Sequence, residues 1–97
     1  MSMKDHVTHV EGEQKGDVML YALSTCGWCK RTKGLLNDMN VAYDYVDVDR
    51  LDGEEREEAL TDIRKFNPRC TFPTTVINNE KCIVGFKEDE TREALGG

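Results

Sequence analysis

The stretch Ser24–Arg31, STCGWCKR, constrains this chain more than any other. Cys26 and Cys29, with only Gly27 and Trp28 between them, follow directly on Val18–Leu23, an apolar run of buried-strand length. Beyond them, Leu35, Leu36 and Met39 fall at helical spacing and Asn40 is a C-terminal stop. The pattern predicts a strand running into a helix that opens at Thr25 or Cys26. A Cys-x-x-Cys pair can hold a metal or cycle between dithiol and disulfide. At the first turn of a helix after a strand, the redox use has a physical basis. The unpaired N–H groups and partial positive charge of a helix N-terminus stabilise an anion, and the nucleophilic form of a thiol is its thiolate.

Helix geometry separates the two sulfurs. Cys29, Thr32, Leu36 and Met39 share one apolar face, so Cys29 heads the buried stripe and Cys26 stands at the exposed tip. This makes Cys26 the expected attacking thiol and Cys29 the shielded resolving thiol. Trp28 is expected near the surface as a docking plate. Lys30, Arg31 and Lys33 make the dithiol end basic, although cations oppose the dipole at a helix N-terminus. Lys30 and Lys33 share a helix face and Arg31 diverges, so the expected docking set for an acidic partner is Lys30, Lys33 and, across a groove, Lys87.

The rest of the chain supplies the frame. Residues 1–17 are polar and read as a flexible extension, with an added edge strand from the alternation HVTHV as the lesser expectation. Tyr43–Val48 reads as a half-exposed strand. A second helix starts after Asp52, with Glu55 as its capping-box partner. It buries Ala59, Leu60, Ile63 and Phe66 and ends at Pro68. TTVINNEKCIVG reads as a hairpin turning at Asn78-Asn79, and a last helix spans roughly Glu88 to Leu95 before Gly96-Gly97. The expected order is β-α-β-α-β-β-α, an α/β domain over residues 18–97 with a four-stranded mixed sheet and three helices.

Composition narrows the partners. The formal net charge of the 97-residue chain is −6, and nine acids lie between Asp44 and Asp62. That balance argues against nucleic acid and anionic membrane. No apolar run approaches the ~20 residues of a membrane span, and the first residues carry no signal-peptide pattern, so the expected compartment is the cytoplasm. Structural disulfides are rare there. Cys70 and Cys82 admit a four-thiolate zinc site, but no second Cys-x-x-Cys accompanies the first. Cys82 reads as an inert strand thiol, and Cys70 either packs or serves as an auxiliary thiol. His6 and His9 read as solvated.

Three separated motifs, in one order, carry a resemblance over about Val18 to Leu95: CGWC after the first strand, TFPT (Thr71–Thr74) before the third, and VGFKEDE (Val84–Glu90) after the fourth. In these the chain resembles the glutaredoxin family of the thioredoxin-fold superfamily. The resemblance implies a cis Pro73 facing the dithiol, with Thr71, Phe72 and Thr74 lining the substrate groove. Two departures accompany it. The family's Gly-Gly pair is here Gly85-Phe86, followed by Lys87, and neutral Leu23, Ser24 and Thr25 stand where a basic residue is common. Both weaken the case for glutathione, and Gly-Phe followed by a cation is similar to the NrdH-type redoxins, which look like glutaredoxins but act like thioredoxins. The implied function is a monomeric thiol–disulfide oxidoreductase without bound cofactor. It would take electrons from a protein reductase and pass them to protein disulfides, ribonucleotide reductase among them. A glutathione-dependent glutaredoxin, and a non-enzymatic iron–sulfur or zinc carrier, stay open as alternatives.

Overall fold

The central strand of the sheet, β2 (Val18–Ala22), has Val18, Leu20 and Ala22 directed to one apolar cluster and Tyr21 to another. This two-residue alternation divides the core into two layers. The computed structural model describes residues 6–96, so residues 1–5 of the extension and Gly97 lie outside the described residues. On one side of the sheet, helix α1 (Gly27–Asp38) contributes Cys29 and Leu36, and Leu95 follows α3 (Glu88–Ala94) into the same cluster. On the other side, α2 (Gly53–Phe66) contributes Ala59 and Ile63, with Leu60 and Phe66 half-buried beside them.

The strands follow the expected order and pairing. β3 (Tyr43–Asp47) is parallel to β2, and the hairpin β4 (Thr74–Ile77) and β5 (Lys81–Val84) completes the opposite edge antiparallel. Its turn places Asn78 and Asn79 both at φ 55°, a left-handed conformation that asparagine tolerates better than most residues. Among the described residues no helix is long and apolar enough to cross a membrane.

Three local expectations are corrected. The sheet has five strands rather than four, in the order β1-β3-β2-β4-β5, because β1 (Thr8–Val10) pairs antiparallel with β3. Val7 and Val10 bury against opposite core layers, and Nδ1 of His9 lies 2.7 Å from Oδ1 of Asp44, so this short polar strand has apolar and polar anchors. Asp52 occupies the N-cap of α2 but makes no side-chain capping bond, and Glu55 pairs with the imidazole of His6 instead of closing a capping box. The strand read as ending at Val48 ends at Asp47, and Val48–Arg50 form a 3-10 turn.

The segment after β1 is sutured to the start of β3. The amide of Glu13 donates to the Asn40 carbonyl at 2.7 Å, and the Ala42 amide donates to the Glu13 carbonyl at 2.9 Å. Gly12 lies so close that a Cβ there would stand 2.6 Å from the carbonyl carbon of Val41 and 2.7 Å from the amide of Ala42. Backbone cannot yield as a flexible side chain can. Gly12→Ala should therefore destabilise the fold by about 1–3 kcal/mol, as overpacking does. Gly34 is the internal contrast, a helix-interior glycine with nothing within 4 Å of its virtual Cβ. Gly34→Ala should stabilise by about 0.5–1 kcal/mol. Urea titration of both variants checks the opposite signs.

Candidate functional site

Cys26 is the N-cap of α1. Its extended backbone (φ −85°, ψ 120°) leaves the helix while its sulfur turns back to accept a hydrogen bond from the Cys29 amide at 3.2 Å. The sulfur thus occupies the position usually filled by a serine or aspartate oxygen. Cys29, one turn into the buried face, is 0 % exposed, and its sulfur accepts from the Leu23 amide at 3.5 Å. Burial pushes the Cys29 thiol up to about 12; the hydrogen bond to Cys26 adds to this, and the Leu23 amide and the charge of Lys33 oppose it. The two thiols, three residues apart, are unlike because one caps the helix and the other is in the core.

Trp28, 55 % exposed, stands beside them. Its ring lies 6.0 Å from that of Phe86, tilted by 30°, and the Arg31 guanidinium sits over the Trp28 ring at 4.9 Å from its centroid. Trp28, Phe72, Pro73, Gly85 and Phe86 line one groove of about 250 Å3. The Phe72-Pro73 peptide is cis, and the Gly85 amide donates to the Pro73 carbonyl at 2.8 Å, joining the two loops. Gly85 has φ 82°, the left-handed region where glycine is at ease.

The structure thus brings Trp28, Phe72, Pro73, Gly85 and Phe86 together at the dithiol end. Thr71 and Thr74 are placed differently. The Thr74 hydroxyl is fully buried, donates to the Thr71 carbonyl at 2.6 Å and accepts from Asn67 at 3.1 Å, so it shapes the loop from within. Thr71 also receives the Asn67 amide, at 3.0 Å on its hydroxyl. Lys30 and Lys87 are exposed and outside the groove lining. Lys33 does not share a docking face with Lys30: its ammonium lies 3.2 Å from the Asp47 carboxylate and 4.0 Å from the centre of the Tyr45 ring, both on β3. Arg31, read as diverging, is instead the cation on Trp28.

Cys70 packs, half-buried, against the layer of Val48, Ala59 and Ile63, whereas Cys26 and Cys29 belong to the opposite layer. Burial raises the Cys82 thiol above its ordinary range. Among the described residues no three His, Cys, Asp or Glu side chains come together in a group that could hold a metal ion. Sequence reading missed two supports. Asn67, 4 % exposed, looked like a helix end before Pro68 and is the hub of the Thr71–Thr74 loop. Asp49 looked like one acid among many. Its carboxylate accepts from the Ser24 amide at 2.8 Å and from the Ser24 hydroxyl at 2.5 Å, and these bonds hold it below the usual carboxylate range.

A mixed five-stranded sheet with three helices, a Cys-x-x-Cys at the N-cap of the first helix and a cis-proline loop sharing a groove with its Trp28 define a thioredoxin-like fold. The comparisons with known proteins refine this class. The family model described as Glutaredoxin matches residues 18–83, and the chain belongs to the glutaredoxin family. The glutaredoxin from Methanosarcina mazei Go1, a crystal structure, is 59 % identical with a TM-score of 0.90, covering 96 % of this chain and 90 % of that one. Methanosarcina acetivorans methanoredoxin is 52 % identical with a TM-score of 0.86, over 89 % and 90 % of the two chains. Glutaredoxin 1 of Rickettsia conorii is 34 % identical over 62 residues, 64 % of this chain. This chain spans 58 % of the length of that curated relative.

The buried thiol has a consequence for pH. An unfolded cysteine loses its proton near pH ~8.5, while folded Cys29 holds its proton to about 12. Between these values the folded state binds the extra proton. The stability Cys29 contributes is therefore complete below the unfolded value and is lost as pH rises through the folded one. Denaturant titrations of the reduced protein should show stability falling above pH ~8.5. In Cys29→Ala that fall should be shallower; an equal slope would mean that Cys29 is not the group responsible.

Proposed function

We propose that this chain is a dithiol–disulfide oxidoreductase that reduces protein disulfides, with Cys26 attacking and Cys29 resolving. One observation carries the reading: the Cys26 sulfur takes the N-cap bond of α1 while Cys29 is wholly buried one turn behind it. The Cys26 thiolate attacks a target disulfide, forming a mixed disulfide and expelling one target sulfur as thiolate. Cys29 then passes its proton to the expelled target thiolate and attacks the Cys26 sulfur. This forms the Cys26–Cys29 disulfide and releases the second target sulfur, so two electrons have passed to the target. A protein reductase returns the pair to the dithiol. The two sulfurs carry the electrons and no bound cofactor is needed. The redoxin domain is residues 18–97, and a reducing cytoplasm is its setting.

The substrate side of the reading is a docking surface rather than a glutathione clamp. Phe86, where the family commonly has glycine, packs on Trp28 and gives the groove an aromatic wall. Such rigid aromatic surface suits a protein partner. Exposed Lys30 and Lys87, with Arg31 on Trp28, favour an acidic one on a molecule that is otherwise acidic. This supports an NrdH-type role, with ribonucleotide reductase among the disulfide enzymes served.

Cys29→Ser should accumulate mixed disulfides that cannot resolve, and Cys26→Ser should be inert in insulin-disulfide reduction. Iodoacetamide at pH 6 should label Cys26 ahead of the other three thiols. Preferential labelling of Cys29, read by peptide mass spectrometry, would falsify the division of roles.

Docking has its own test. The double change Lys30→Glu, Lys87→Glu should slow reduction by a protein reductase at low salt and lose that effect at high salt, because steering is screened. A neutral small disulfide should react at an unchanged rate. If both substrates slow alike, the cations act on the thiol and not on the partner.

A further inference from the structure

The Leu23–Cys26 loop is short, and two of the bonds of Leu23 reach the two cysteines. The Leu23 amide donates to the Cys29 sulfur at 3.5 Å, and the Leu23 carbonyl accepts from the Cys26 amide at 3.2 Å. Between these two residues sits Ser24, and Ser24 is gripped from outside the loop. Both carboxylate oxygens of Asp49 are engaged on it, Oδ1 by the backbone amide at 2.8 Å and Oδ2 by the hydroxyl at 2.5 Å. Asp49 lies in the 3-10 turn that follows β3, and β3 is the parallel neighbour of β2. That turn is itself anchored, since Val48 is 2 % exposed in the core and its carbonyl accepts from the Leu51 amide at 3.1 Å.

We infer that Asp49 is the positioning residue of the dithiol: its two-pronged hold on Ser24 fixes the loop whose Leu23 amide holds the Cys29 sulfur and whose Leu23 carbonyl holds the Cys26 backbone. The inference deepens the oxidoreductase reading above and rests on it. Asp49 acts on the dithiol only through Ser24. An ionised carboxylate is the side chain suited to the task. It accepts on both oxygens, and the donors it meets are an N–H and an O–H side by side on one residue. The Ser24 bonds lower its proton affinity, so the carboxylate is ionised at neutral pH. The placement also explains the acid itself. Asp49 belongs to the alternating run Val46–Asp49, yet it is outside the strand and turned to a loop from another part of the chain. Thiol–disulfide exchange requires the attacking sulfur in line with the disulfide it enters, and a small misplacement of a reacting atom is costly in rate.

The test measures reactivity per folded molecule. Iodoacetamide labelling of Cys26 and release of a preformed Cys26 mixed disulfide by Cys29 are followed at 25 °C in the full chain, with urea stability measured separately. In Asp49→Ala both rates should fall about tenfold, the usual scale for losing a charge-assisted pair that orients a reacting group. Asp49→Asn, whose amide can still bond the Ser24 amide through its oxygen and the Ser24 oxygen through its nitrogen, should recover most of both rates. A merely structural residue would lower stability in Asp49→Ala and leave both rates unchanged, and that result overturns the inference. An Asp49→Asn variant as slow as Asp49→Ala also overturns it, because charge and not the hold would then be responsible. Should Asp49→Ala fail to fold, Ser24→Ala removes the hydroxyl prong alone. A fall of about threefold in labelling supports the inference, in keeping with one lost hydrogen bond, and an unchanged rate overturns it. Labelling that does not fall on Cys26 in the unaltered protein sinks the oxidoreductase reading instead, and is seen before any variant is made.

Discussion

The reactive end of the molecule depends on the docking of the first turn of α1 against the end of β2. Cys29 is the contact: it is buried in the same layer as Leu20, Ala22 and Leu36, with its sulfur on the Leu23 amide. Once that residue is fixed in the core, the turn before it must begin at the end of β2, and Cys26 is left at the cap. The unequal environments of two chemically identical side chains therefore follow from a packing constraint. Desolvation keeps one protonated, while the cap offers the other a backbone N–H.

The loop side of the groove is built by a second set of constraints, separate from the helix that carries Trp28. The Thr71–Thr74 loop is shaped from inside by Asn67 and from the flank by the Gly85–Pro73 backbone bond. The loop's polar atoms are engaged internally, so the surface it offers beside Cys26 is largely aromatic and aliphatic: Phe72, Pro73 and, opposite them, Trp28 and Phe86. Charge is arranged around this apolar centre. Lys33 is withdrawn to Asp47 and Tyr45, while Lys30 and Lys87 remain exposed.

What was legible in the sequence is what periodicity and spacing encode. The apolar run of β2, the apolar face of α1 and the Cys-x-x-Cys at their junction predicted a strand running into a helix and the asymmetry of the thiols. Trp28 was expected at the surface because its neighbours are polar, and it is there. The misses are of another kind. Lys33 was assigned to a face by helix geometry alone, but its long side chain reaches β3, and no helical wheel reports that. Asp49 and Asn67 act on residues 25 and 4 to 7 positions away through single side-chain contacts, which leave no periodic trace. Glu55 has the spacing of a capping box, yet His6, 49 residues earlier, takes its carboxylate. Tertiary partners outcompeted local ones in each case.

The strand β1 has an implication for self-association. A four-stranded version of this sheet would end on β3 and leave its outer row of backbone donors and acceptors ready to pair with another chain. β1 occupies that row along Tyr43–Tyr45, and the bonds between Glu13 and residues 40 and 42 continue the cover towards the start of the strand. Among the described residues the new margin is Thr8–Val10, with exposed Thr8 and His9. A short, polar margin is a poor template for further strand addition. The segment before the redoxin core is thus a selvage on the β3 side of the sheet, where it leaves little to pair with another copy.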